Sequence, residues 1–201
     1  STMDVFGDLA YTVPEPIGVV GIIITWNGPL ISLAMKVIPA LAAANCVVCK
    51  PAELNAHVPE LFARLVKQAG FPDGVFSSLH GGPEAGEAII RHKKIRKISF
   101  TGGPVTARKI LTACAEEIKP TVMELGGKSA NLVFPDCDLD HAVQVSMLNV
   151  FFFGTGQGCA LPTRTLVHSD IYDAFLAKAK ALVESLKVGN PEDPDVLIGP
   201  V

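Results

Sequence analysis

Cys159 closes the loop Gly154-Thr155-Gly156-Gln157-Gly158-Cys159, whose glycines let the backbone turn sharply and leave room for a substrate to approach. A thiol beside a helix N-terminus or aligned backbone dipoles ionises more readily and becomes a nucleophile. A structural cysteine would fit the same loop, so the loop alone leaves both readings open. Glu124 ends an apolar run in Met123-Glu124-Leu125-Gly126-Gly127. A carboxylate there must be either paired or functional, and it could serve as a general base. Asn27 follows Trp26; its amide could donate to a developing oxyanion, or simply form the turn before Gly28-Pro29. In Lys50-Pro51-Ala52-Glu53 the two charged side chains could hydrogen-bond a ribose, or form an exposed ion pair. Gly102-Gly103 precedes a helical pattern whose first amides could face a phosphate.

Short β-branched runs alternate with longer helical patterns and position these residues. Strands are expected at 18–25, 46–50, 75–79, 95–100 and 121–125, with helices at 32–44, 58–69, 84–91 and 105–116. Repeated strand-helix-strand units imply an α/β fold: an open parallel sheet flanked by helices. The strands are apolar throughout, as expected when both faces are buried. Trp26-Asn27, Lys50, Gly102-Gly103 and Glu124 all fall at strand carboxyl ends, where open parallel sheets bind ligands. Beyond Gly127 a strand at 131–134, a helix to about 153, a strand at 164–168 and a helix at 172–185 suggest the start of a second α/β domain. The expected division is 1–127 and 128–201.

Composition narrows the classes. With 49% apolar and 18% charged residues, the chain has ample material for a core. A formal charge of -3 gives no support for a nucleic-acid partner. No run reaches the ~18 apolar residues of a membrane span, and residues 1–9 lack a basic and apolar leader, so a soluble, cytoplasmic chain is expected. The five cysteines are odd in number and unframed, which suggests reduced thiols, with Cys46 and Cys49 in a strand core. The five histidines are scattered without ligand spacing, so no metal is assigned. Neither G-x-G-x-x-G nor G-x-x-x-x-G-K-[ST] is present, so the Gly pair by itself is a weak signal.

The order of these pieces resembles the aldehyde dehydrogenase superfamily. Matching segments are Pro16-Ile17-Gly18-Val19-Val20 with Trp26-Asn27-Gly28-Pro29-Leu30, Lys50-Pro51-Ala52-Glu53, Gly70-Phe71-Pro72-Asp73-Gly74-Val75, Phe100-Thr101-Gly102-Gly103, Glu124-Leu125-Gly126-Gly127-Lys128, and Gly156-Gln157-Gly158-Cys159 with Arg164. The resemblance implies that Cys159 is the nucleophile, Asn27 an oxyanion donor and Glu124 the base that activates water. It implies a Rossmann-like NAD domain with cofactor contacts at Trp26, Lys50, Glu53, Gly102, Gly103, Leu125 and Gly126. Glu53 would repel the 2′-phosphate of NADP, so NAD is favoured. A small aldehyde would be the substrate and a carboxylic acid the product, with the parent protein a homo-oligomer. The alternatives are an inactive dinucleotide-binding fragment and a chain that passes its acyl group to coenzyme A.

Departures from the family pattern concern the cofactor side. Thr25 stands where the family commonly has Pro, Gly103 where many members have Ser, and Ala107 where a Gly often lies, which could crowd the helix start. Family members are more than twice as long, so a chain cut short at both ends is expected, with Gly199-Pro200-Val201 falling inside the catalytic domain. Phe151, Phe152 and Phe153 suit an apolar aldehyde, or a helix core.

Overall fold

The computed structural model describes residues 2–5, 7–151 and 153–200, so Phe152 and Val201 lie outside the described residues. The chain divides into two compact units, Ser1–Glu124 and Leu125–Val201.

The first unit opens with an antiparallel hairpin, β1 (Thr2–Val5) and β2 (Asp8–Tyr11), which the sequence reading left unassigned. Its two-residue connection uses Gly7 in the left-handed region, but Phe-Gly lacks the Asn-Gly or Asp-Gly signature of a hairpin turn. Alternation follows: β3 (Val19–Ile23), α1 (Pro29–Ala42), β4 (Cys46–Lys50), α2 (His57–Gln68), β5 (Phe76–Ser78), α3 (Pro83–Arg91), β6 (Ile95–Thr101), α4 (Pro104–Glu116) and β7 (Thr121–Glu124). The strands form one parallel sheet in the order β5-β4-β3-β6-β7. The chain runs outward from β3 to β5, then returns to β3's other side. The order therefore reverses between β3 and β6, where such sheets open a crevice at the strand carboxyl ends.

Helices cover both faces. Leu33 and Val37 of α1 pack on Val20, Ile22, Ile24, Val47 and Cys49. On the other face Ile89 and Ile90 of α3 and Ala107, Ile110 and Cys114 of α4 pack on Ile95, Ile98 and Phe100. Each such fully buried aliphatic side chain contributes ~1.5–3 kcal/mol. Expected burial on both faces holds for β3, β4 and β6. It fails for the edges β5 and β7, whose side chains alternate between half-buried and exposed. An edge strand is covered less completely than a central one, whatever its composition.

The second unit contains β8 (Ala130–Val133), α5 (Leu139–Phe151), β9 (Arg164–Val167) and α6 (Tyr172–Glu184). β8 and β9 pair in parallel, and Val133, Val143, Phe175 and Ala179 form the core between sheet and helices. Leu132 and Leu166 are register partners that remain 59% and 58% exposed. Among the described residues no helix is long and apolar enough to cross a membrane, and no group of three or more metal-ligating side chains occurs.

Candidate active site

Four chain segments carry candidate residues at the carboxyl edge of the first unit's sheet, at the ends of β3, β4, β6 and β7. β3 runs on through Ile24, whose N–H donates to the Lys50 carbonyl at 3.1 Å, and delivers Thr25, Trp26 and Asn27. The Asn55 amide donates to the Trp26 carbonyl at 3.1 Å and ties this segment to the turn after β4. The Thr25 hydroxyl donates to Asn27 Oδ1 at 2.7 Å. Pro29 then opens α1, with the Ser32 N–H donating to the Gly28 carbonyl at 2.9 Å.

Lys50 ends β4, and its burial departs from the exposed-pair reading: only 6% of the residue reaches solvent. Its ammonium donates to the Pro51 carbonyl at 3.0 Å and lies 3.4 Å from the Glu53 carboxylate. Glu53 itself stays exposed in a single 3-10 turn, Glu53–Asn55. A backbone hydrogen bond, then the Lys50 charge, hold its carboxyl below the usual range. The acid is thus ionised and outward-facing, anchored through a buried cation.

Gly102 and Gly103 behave differently. A Cβ on Gly102 would collide with the Phe100 ring beneath it, whereas one on Gly103 meets nothing within 4 Å. Gly103 caps α4 without any side-chain acceptor, so the first amides of a 13-residue helix lack a cap from the protein. Such amides suit a pyrophosphate. Ala107 does not crowd this start: its methyl is buried in the core and its N–H donates to the Gly103 carbonyl at 3.1 Å.

Glu124 is register partner of Thr101, and its carbonyl accepts from the Gly102 N–H at 3.0 Å. Sequence reasoning missed the cation on the same face. Lys36 of α1 donates to the Ser99 hydroxyl at 2.8 Å, and Ser99, two residues before Thr101, points the same way across the sheet. Burial lowers the Lys36 pKa, and the Glu124 charge partly offsets this. The available signal was that Lys36 is the sole charge in an otherwise neutral helix. Leu125 and Gly126 follow directly in the chain and are exposed.

The second unit carries Cys159. The loop before it holds three successive left-handed residues, Gly154 (φ 59), Thr155 (φ 56) and Gly156 (φ 77). Two glycines make this affordable; Thr155 adopts it against its own preference. Gln157 closes the loop by donating to the Gly154 carbonyl through its N–H at 3.1 Å and its side-chain amide at 3.2 Å. Cys159 follows in an exposed turn. Among the described residues α5 ends before this loop and β9 begins after it, so no α-helix of the second unit starts at Cys159 in the chain. The other thiols are less available, with burial raising Cys49 to about 12 and also raising Cys114.

The profile of the aldehyde dehydrogenase family matches residues 2–201, and the chain belongs to that family. It is 43% identical to 2-hydroxymuconic semialdehyde dehydrogenase of Pseudomonas sp. (strain CF600), over 100% of this chain and 42% of that one. It is also 43% identical to the mitochondrial aldehyde dehydrogenase of Homo sapiens, over 99% of this chain and 39% of that one. The crystal structure of PnpE in complex with nicotinamide adenine dinucleotide matches with a TM-score of 0.95 at 39% identity, over 100% of this chain and 42% of that one. An NADP-dependent enzyme of E. coli matches with a TM-score of 0.90 at 36% identity, over 93% of this chain and 39% of that one. The chain therefore spans about two fifths of the length of these relatives.

Proposed function

We propose that the chain carries the NAD platform and the nucleophile of an enzyme that oxidises an aldehyde to a carboxylic acid. The observation that carries this reading is the buried Lys50 ammonium anchoring an exposed, ionised Glu53 at the carboxyl end of β4, on the same parallel sheet whose strand β6 leads into the start of α4. Lys50 and Glu53 suit the hydroxyls of an adenosine ribose, and the amides after Gly103 suit a pyrophosphate. Trp26, Gly102, Leu125 and Gly126 complete the expected contacts. In its bound state NAD would accept a hydride from the substrate carbon.

The chain's own residues supply the rest. The Cys159 thiolate attacks the aldehyde carbon and forms a thiohemiacetal, whose oxyanion accepts from the Asn27 amide and the Cys159 N–H. Once that carbon is oxidised to the thioester, Glu124 takes a proton from water, which adds to the carbonyl and releases the acid with return of the thiol. The Glu124 carboxylate favours water over coenzyme A as the acyl acceptor. Ionised Glu53 favours NAD over NADP by repelling a 2′-phosphate.

The test is NADH formation from NAD and a panel of aliphatic and aromatic aldehydes, with this chain beside its Cys159→Ala variant. Turnover lost in the variant supports the reading. Turnover retained in the variant refutes the nucleophile. Tight NAD binding with no turnover in either would favour the second reading, a dinucleotide-binding chain that does no chemistry alone. Glu53→Ser should narrow the NAD-to-NADP affinity ratio by roughly tenfold, about 1.4 kcal/mol; an unchanged ratio would remove Glu53 from cofactor choice.

A further inference from the structure

Leu161 has no role in the reading above, yet it touches the segment that carries the nucleophile. Among the described residues from Gly154 to Arg164 it alone is buried, with 8% of the residue exposed. Its side chain turns back on Gly158. A Cβ placed on Gly158 would stand 2.6 Å from Leu161 Cγ, 2.9 Å from Cδ1 and 3.2 Å from Cδ2. Carbon atoms rest against each other at ~3.5–4.0 Å, so the leucine branch already fills the space that a larger residue at 158 would need. Gly154 and Gly156 are left-handed and serve the turn, whereas Gly158 is not among the left-handed glycines and serves space. The leucine is itself held. Pro162 follows it and narrows the backbone angles open to Leu161. The Thr163 N–H donates to the Leu161 carbonyl at 2.9 Å, just before β9 opens at Arg164 and pairs with β8.

We infer that Leu161 is a positioning residue that holds the Gly158–Cys159 peptide, and with it the Cys159 N–H and thiol, by packing on the bare Gly158 Cα. The inference rests on the proposed role of Cys159, but the contact itself does not. One planar unit runs from the Gly158 Cα to the Cys159 Cα and carries the Cys159 N–H. A glycine at one end leaves that plane more freedom to rotate than any other residue would. Leucine packed on the same Cα takes the freedom back, because rotation at Gly158 moves its atoms against the leucine branch. Cys159 itself stays exposed. One side of the turn is thus open to a substrate while the other is closed by Leu161.

The experiment is a size exchange. Leu161→Ala removes the branch, Gly158→Ala sets a methyl where the branch lies, and the double variant sets that methyl into the space the shortened side chain leaves. In 15N-labelled chain, the heteronuclear NOE of the Cys159 backbone amide should be high in the wild type, fall in Leu161→Ala and recover in the double variant. Leu161→Val, a smaller truncation, repeats the test should alanine disturb folding. A Cys159 NOE unchanged in both truncations overturns the inference. Aldehyde oxidation supplies the second arm. Each single alanine variant should lower kcat about tenfold, within the ~10²-fold that a misplacement of about 1 Å can cost, with the KM for NAD unmoved. The double variant, and Leu161→Met, which conserves volume, should lie within about threefold of wild type. Losses that multiply in the double variant would overturn the 158–161 contact as their cause. Turnover retained in Cys159→Ala would instead remove the nucleophile, while the NOE arm, which needs no turnover, still decides whether Leu161 holds the turn.

Discussion

The two units hold their reactive groups by different means. In Ser1–Glu124 a five-stranded parallel sheet, covered on both faces, sets the ends of its strands, and Trp26, Lys50, Gly102 and Glu124 inherit their positions from strand register. In Leu125–Val201 two strands and two helices enclose a small core, and Cys159 is presented by a loop whose shape comes from three left-handed residues and one glutamine. A platform for a long, many-contact ligand requires positions fixed relative to one another over many ångströms, which a packed sheet supplies. A single nucleophile requires exposure and a sharp turn, which local backbone conformation supplies. The Leu132 and Leu166 side chains left in solvent show how little of the second unit's sheet is covered within this chain, whose core lies on the face of Val133 and Val167.

The sharpest break between the units would come from Cys159→Ala. It should reduce aldehyde oxidation by ~10⁴-fold or more while leaving the NAD dissociation constant within about twofold. A parallel loss of NAD affinity, measured by titration calorimetry, would mean the two functions are not divided as proposed. Next in size is Ile22→Ala, which empties a fully buried site in the first unit and should cost ~2–5 kcal/mol. Hydrogen exchange should then rise across 1–124, whereas Val133→Ala should raise it across 125–201. An identical response of both halves to either change would show one cooperative unit and erase the contrast.

Smaller effects sharpen the first unit's side of the comparison. Gly102→Ala drives a methyl into the Phe100 ring and should destabilise by ~1–3 kcal/mol, while Gly103→Ala, with open space around it, should change stability little. Equal melting temperatures for the two variants would mean that the strand end is less tightly held than its packing implies. Finally, burial lifts Cys49 from 9.0 to about 12, so above pH 9 the unfolded chain releases a proton that the folded chain keeps. Stability from this thiol is complete below that pH and is lost as pH rises toward 12, by up to about 1.4 kcal/mol per pH unit. Denaturant melts at pH 8.5 and 10.5 should lose part of this slope in Cys49→Val, and an unchanged slope would assign it elsewhere.

Much of this was legible in the residues. Apolar runs of strand length punctuated by Gly and Pro located the strands and α-helices from β3 to α6 to within about three residues, because buried parallel strands and amphipathic helices leave unlike periodicities. The Gly-Gln-Gly-Cys and Glu-Leu-Gly-Gly-Lys segments pointed to the family that the comparisons then supplied. The β1–β2 hairpin was not legible, since its turn carries no strong signature, and neither was the uneven burial of the edge strands, which depends on which strands end up outermost.

What the sequence by itself determined is the alternation of elements, the family and the identity of the candidate groups, all properties of order along the chain. Only the tertiary structure decided how those groups are held. It buried Lys50 and left Glu53 in water, carried the charge of Lys36 across 63 positions of chain to Ser99 on the face of Glu124, and set the Thr25 hydroxyl on the Asn27 amide. The physical reason is that burial and long-range hydrogen bonding depend on which strands become neighbours and which faces the helices cover. Neither is encoded at any one position of the chain.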